Sequence, residues 1–126
     1  VFSNIALVPD GGLSWLLARN VGYSKALEFA IEAKKIGAQE CLQLGIANKV
    51  CSPENLESET QKWAQAISMR SPQAVSNTKK IMRDSLEKKF IQTYEDEANI
   101  QNSILGNDEF KEGVAAFFEK RKPVFK

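Results

Sequence analysis

The sequence predicts a mainly α-helical domain with one or two short strands. Three observations carry that prediction. Apolar residues recur at three- and four-residue spacing over most of the 126 residues. Ser-Pro pairs and glycines divide those runs into helix-sized lengths. Only residues 4 to 8 and 47 to 51 read as short extended segments. Two strands do not make an independent sheet. The chain also opens on Val1-Phe2-Ser3, without Met and inside what reads as a strand. Both points lead us to expect a piece of something longer.

In order along the chain, the apolar run NIALV is closed by Pro9 and followed by Pro9-Asp10-Gly11-Gly12, which has turn chemistry. LSWLLARN reads as a short, largely buried helix ended by Gly22 in a left-handed cap. Residues 24 to 33 form a second helix, with Ala26, Phe29, Ala30 and Ala33 on one face. A break near Gly37 precedes a short helix carrying Cys41, Leu42 and Leu44, ended by Gly45. Ser52-Pro53 and Ser71-Pro72 are helix starts, because the Ser hydroxyl can cap and Pro suits the first helical position. Leu56, Trp63, Ala64 and Ile67 form an apolar stripe on the first of these helices. After Pro72 the spacing of Val75, Met82, Leu86, Phe90 and Tyr94 is helical but long for one helix, so a break is expected near Asp84-Ser85. Gly106-Asn107-Asp108 is a turn with a cap, and Phe110, Val114 and Phe117 mark the last helix. EKRKP ends it with basic residues that suit the helix dipole.

Composition narrows the function classes. Hydrophobic residues make up 43% and charged residues 26%, the profile of a soluble globular domain. A formal net charge of +1 gives no case for nucleic acid, and no Lys/Arg block points to a membrane surface. No apolar run approaches the ~20 residues of a membrane span. With no basic n-region at the start and two cysteines read as buried small apolar residues, a cytoplasmic location is expected. The absence of histidine excludes Ser-His-Asp and Cys-His catalysis within this chain, together with His-containing zinc sites. Acid/base chemistry then falls to Asp, Glu, Lys, Tyr or Cys.

Asp10 is the carboxylate whose setting asks for a reason. As a helix cap it would accept an N–H from the first turn of the 13-to-20 helix, worth about 1 kcal/mol. As an acid/base it would sit among the apolar Leu7, Val8, Leu13 and Trp15. The two roles pull a carboxyl in opposite directions: capping favours the charged form, apolar burial the neutral one. The acidic run Glu95-Asp96-Glu97 is a solvated face, since consecutive helical residues point to different sides. Gly11 and Gly12 are explained by the turn.

The order of motifs then becomes recognisable. A short apolar segment leads to PDGGLSWLLARNVG, then SKALEFAIEAKKIGAQECLQLGIANKV, SPQAVSNTKK and NDEFKEGVAAFFEKRKPVF. Nearly the whole chain resembles the C-terminal half of the crotonase superfamily, the enoyl-CoA hydratase/isomerase proteins. The resemblance implies the helical C-terminal part of an α/β spiral fold, with residues 1–51 ending the core and residues 52–126 forming a trimerisation region. It implies an acyl-CoA thioester as substrate, no separate cofactor, a role in fatty acid metabolism, and a homo-oligomeric parent.

It also implies roles for particular residues. Two backbone N–H groups of the family stabilise the thioester oxygen as charge develops on it; they would lie upstream of Val1, so the 126 residues alone are expected to be inactive. Hydratases carry a glutamate where the motif count places Phe2, which cannot shuttle a proton. Enoyl-CoA isomerases carry a carboxylate at the place of Asp10, where it moves a proton between C2 and C4 of the acyl chain. Phe117 and Lys120 match the positions on the last helix that contact CoA, and Trp15 is a candidate wall of the acyl pocket. A noncatalytic interaction module with the same fold is the alternative from another class, and a self-pairing helical bundle is a third possibility for the chain alone.

Overall fold

A computed structural model describes residues 1–125. Its backbone falls into two compact units, Val1–Leu56 and the residues from Glu57 onward. Among the described residues there is no strand. The segment read as a strand at residues 4 to 8 begins instead in a 3-10 turn, Phe2–Ile5, which closes on Ala6 in the left-handed region. With no neighbouring strand to pair with, its backbone takes local partners: the N–H of Asn4 donates to Val1 and that of Leu7 to Phe2. Residues 47 to 51 likewise form no ladder.

In the first unit, helix α1 (Leu13–Val21) follows Gly11 and Gly12, whose φ angles are +59° and +84°. Such consecutive positive φ values are open to glycine at little cost. Gly22 ends α1, but not in the left-handed cap anticipated: its φ of 80° and ψ of 158° lie in a region nearly confined to glycine. The reason is that Gly22 also starts α2 (Tyr23–Glu32), its carbonyl accepting the N–H of Ala26, so its backbone must extend rather than coil. The predicted face of α2 is real, with Ala26 and Phe29 buried. Helix α3 (Ala38–Gln43) is short, and Lys34 before it bonds Glu40 within it at 2.9 Å.

A 3-10 turn, Pro53–Asn55, leads into α4 (Leu56–Ser68). Ser52 does not cap it; its hydroxyl accepts from the Asn55 side chain at 3.1 Å. In the second unit Ser71 does cap α5 (Pro72–Asp84), accepting the N–H of Ala74 at 2.9 Å. The break expected near Asp84-Ser85 is a 3-10 turn, Ser85–Glu87, before α6 (Phe90–Ile104). Asn107 caps α7 (Asp108–Glu119) by accepting the Phe110 N–H at 2.7 Å. The N-termini of α5 and α7 are joined: the Ser71 hydroxyl and the Gln73 N–H both donate to Glu109, while the Asn107 amide donates to the Gln73 side chain.

The core is small. Among the described residues only Ala26, Phe29 and Ala116 are buried. The chain exposes 10068 Å², against about 6,700 Å² for one folded domain of this length and about 8,100 Å² for two independent halves. Thus at least roughly 2,000 Å² is unburied by the usual scaling. The apolar stripe on α4 is part of it: Leu56, Trp63 and Ile67 are all exposed. LSWLL in α1, expected to be buried, is exposed or half-buried along its length. Both cysteines are free; Cys41 is half-buried, and Cys51, on an irregular segment, is exposed rather than buried. No helix among the described residues is long and apolar enough to cross a membrane.

Candidate active site

The corner at residues 9 to 12 shows that the Asp10 side chain does not cap α1. The positive φ angles of Gly11 and Gly12 carry the backbone round so that Gly12, not Asp10, occupies the cap position of α1, with no side-chain cap. What Asp10 contributes to the helix is its backbone carbonyl, which accepts the Leu13 N–H at 2.9 Å. Its carboxylate is exposed and accepts no capping bond among the described residues. The surrounding apolar groups do not bury it: Val8 is 79% exposed, and Leu7, Leu13 and Trp15 are exposed as well.

Asp10 nevertheless stands at the edge of an apolar cleft. The cleft has a volume of about 640 Å³, and Val8 and Pro9 before Asp10 and Leu13 and Ser14 after it all line the cavity. Its floor includes Leu17 of α1 and Phe29 of α2. Phe2 lines it too, half-buried, so this aromatic side chain is a packing group. The cation in the cleft is Lys34, whose ammonium lies 5.4 Å from the centre of the Phe29 ring. Its hydrogen bond to Glu40, opposed in part by desolvation, raises its pKa above the ordinary 10.5, so it remains an ammonium at neutral pH and offers no base. Trp15 is on the other side of α1 from the cleft-lining Leu13, Ser14, Leu17 and Ala18. There its ring stacks beneath the Arg19 guanidinium at 3.7 Å.

The second candidate region belongs to the other unit. Phe117 is 79% exposed and meets Phe118 edge to face, with ring centres 5.7 Å apart. Both line a cleft of about 350 Å³ with Phe110, Val114 and Phe125. Lys120 follows α7 in the left-handed region, with φ 53° and ψ 35°. Sequence reasoning passed over Glu112, the best-connected carboxylate here. It takes both arms of the Arg121 guanidinium, at 2.5 and 2.9 Å, and the Val124 N–H at 2.7 Å. These donors, the Arg121 fork first, hold its pKa down to about 2. The acidic run on α6 is tied up as a surface feature, with Asp96 bonded to Lys88. Among the described residues no three acidic, Cys or His side chains gather as a metal-ligand set.

Comparison with known proteins supplies a context for this geometry. Residues 1–126 match the family model described as enoyl-CoA hydratase/isomerase. A trans-2-decenoyl-[acyl-carrier-protein] isomerase from Streptococcus mutans is 37% identical over 98% of this chain and 47% of its own length. A peroxisomal Delta(3,5)-Delta(2,4)-dienoyl-CoA isomerase from Arabidopsis thaliana is 33% identical over 97% of this chain and 44% of its own. The crystal structure of an enoyl-CoA hydratase from Polaromonas sp. superposes with a TM-score of 0.94 at 32% identity, covering 99% of this chain and 49% of that one. The chain therefore spans about half the length of the relatives it matches.

Proposed function

Since the chain belongs to the enoyl-CoA hydratase/isomerase family, we propose that it is the C-terminal helical portion of an enoyl-thioester isomerase. In this reading Asp10 is the acid/base. Its carboxylate takes a proton from C2 of a 3-enoyl thioester, and the resulting carboxylic acid returns that proton to C4, so the double bond moves to C2 with no net change in protons. The negative charge on the thioester oxygen between the two steps calls for preorganised N–H donors, which we assign to the part of the protein outside these residues. Trp15, turned away from the apolar cleft and beneath the Arg19 guanidinium, is proposed as an acyl-chain wall only on that opposite face of α1, not as a wall of the cleft beside Asp10. Phe117 and Lys120 are proposed as CoA contacts, the ring against the adenine or pantetheine and the ammonium against phosphate. The working protein is proposed to be a homo-oligomer.

The observation that carries the proposal is the position of Asp10, free of the helix and bracketed by residues of an apolar cleft; the family resemblance adds that the motif count puts Phe2 at the place of the hydratase glutamate. An exposed acid does not by itself make a tuned acid/base. The proposal therefore includes burial of Asp10 by the rest of the protein. The test is Asp10→Asn in the whole protein, assayed for conversion of a 3-enoyl to a conjugated 2-enoyl thioester. Loss of a positioned acid/base lowers kcat by about 10² or more; activity near wild type would refute the assignment. The 37% identity to an acyl-carrier-protein isomerase favours a second carrier, so the same assay is run with decenoyl chains on CoA and on acyl carrier protein.

A further inference from the structure

The end of α7 has an unusual backbone at the residue proposed to touch CoA. The N–H of Lys120 donates to Phe117 and that of Arg121 to Ala116, the paired bonds of a Schellman cap. The left-handed position of that motif usually holds glycine, because a Cβ crowds the following carbonyl there. Here it holds Lys120, at φ 53°. A side chain kept in a disfavoured conformation needs surroundings that hold it there.

The next residues show what does so. Arg121 makes a two-pronged bond to Glu112, nine residues earlier on α7, and its Nε bonds Glu119 at 2.5 Å. The Val124 N–H closes on the same Glu112 carboxylate. Phe125 then lies against α7 at Gly113, where an added Cβ would sit 4.0 Å from its ring. Consecutive residues of α7 thus hold consecutive residues of the tail. Two carboxylates neutralise Arg121, whereas Lys120 has no ion-pair partner among the described residues. The arrangement spends the fork-shaped cation on structure and leaves the point-charge cation available.

We propose that Glu112 is a positioning residue: through Arg121 and Val124 it holds the reversal that presents Lys120 to the phosphates of coenzyme A. This rests on the CoA-contact reading given above for Lys120. Glu112 touches no substrate and acts only through the backbone turn.

The experiment is steady-state kinetics of the whole protein with an enoyl-CoA and with the matching enoyl-pantetheine thioester, which lacks the nucleotide. Lys120→Ala should raise KM for the CoA substrate about tenfold, the scale of one charge-assisted hydrogen bond, with the rise confined to the CoA substrate and to KM. Glu112→Gln should raise KM in the same CoA-specific way, and should add nothing when combined with Lys120→Ala. Arg121→Lys, which keeps the charge but loses the fork, should move in the same direction, and faster amide exchange at Val124 should accompany both variants. If Lys120→Ala shows the CoA-specific rise and Glu112→Gln does not, positioning is overturned while the contact stands. If Lys120→Ala shows no CoA-specific effect, the contact reading falls, and the positioning role falls with it. A rise of equal size for both thioesters in Glu112→Gln marks general structural damage and also overturns the proposal.

Discussion

The junction between the N-termini of α5 and α7 can be tested quantitatively. Ser71 caps α5 and also donates to Glu109 of α7; Asn107 caps α7 and also donates to Gln73 of α5. Each cap contributes about 1 kcal/mol. The Ser71–Glu109 bond is partly buried and the Asn107–Gln73 bond exposed, and each adds about 0.5 kcal/mol. Ser71→Ala and Asn107→Ala should therefore each cost about 1.5 kcal/mol. If the caps were independent, the double variant would cost about 3 kcal/mol. They share the Glu109–Gln73 contact, however, so once one helix end has come loose the other has less to lose. The double variant should cost about 2 to 2.5 kcal/mol, a coupling of about 0.5 to 1 kcal/mol. Urea unfolding with a constant m-value gives the three energies, and exchange at the Ala74 and Phe110 amides localises them. Additivity within about 0.3 kcal/mol would show that the bridges hold nothing together.

Three further outcomes follow from the same geometry. The Glu112 carboxyl should titrate near 2 rather than at its usual 4.5. Because the folded state favours its ionised form, the clamp's contribution should be complete above about pH 4.5 and be lost as pH falls toward 2, read from Glu112 carboxyl shifts and Val124 amide exchange. Gly12→Ala should lower stability by about 1 kcal/mol, although no atom lies within 4 Å of the added methyl, since φ is +84°; Gly37→Ala, at φ −72°, should cost nothing, and equal thermal midpoints for the two variants would contradict this. The isolated 126-residue chain should self-associate and bind a hydrophobic dye, because its unburied area of roughly 2,000 Å² is of the size that obligate interfaces cover. A monomeric sedimentation profile without dye binding would rule this out.

What the sequence made legible was local. Ser71-Pro72, the break at Asp84-Ser85 and the Asn107 cap depend on a few neighbouring residues, and the structure has all three. The same reasoning misplaced the strand at residues 4 to 8, because an apolar run states a wish for burial without naming a partner. The α4 stripe teaches the same lesson: its period picks out the face, yet Leu56, Trp63 and Ile67 remain uncovered here. Glu109 and Glu112 escaped notice for another reason. Glu109 meets Ser71 across 38 residues, and Glu112 meets a tail that lies beyond the helix, so no spacing rule points to either. The left-handed state of Lys120 was equally invisible, since the residue type argues against it.

Asp10 illustrates how backbone conformation can separate two roles that a sequence leaves tangled. A cap and a base use the same carboxylate oxygens, and an oxygen held by two helix N–H groups is a poor proton acceptor. The two glycines after Asp10 resolve the competition by placing Gly12 at the cap position, so the carboxylate has no part in holding α1. It follows that stability and catalysis should respond differently to one substitution. Asp10→Ala should change the unfolding free energy of the 126-residue chain, in which Asp10 is exposed, by less than about 0.5 kcal/mol, as for a surface site without a special contact, while isomerisation by the whole protein falls by about 10² or more. A cap would give the opposite pattern, a loss near 1 kcal/mol with turnover largely kept. Measuring both quantities on that single variant decides between them, because no assignment of Asp10 as a cap predicts lost turnover with stability intact.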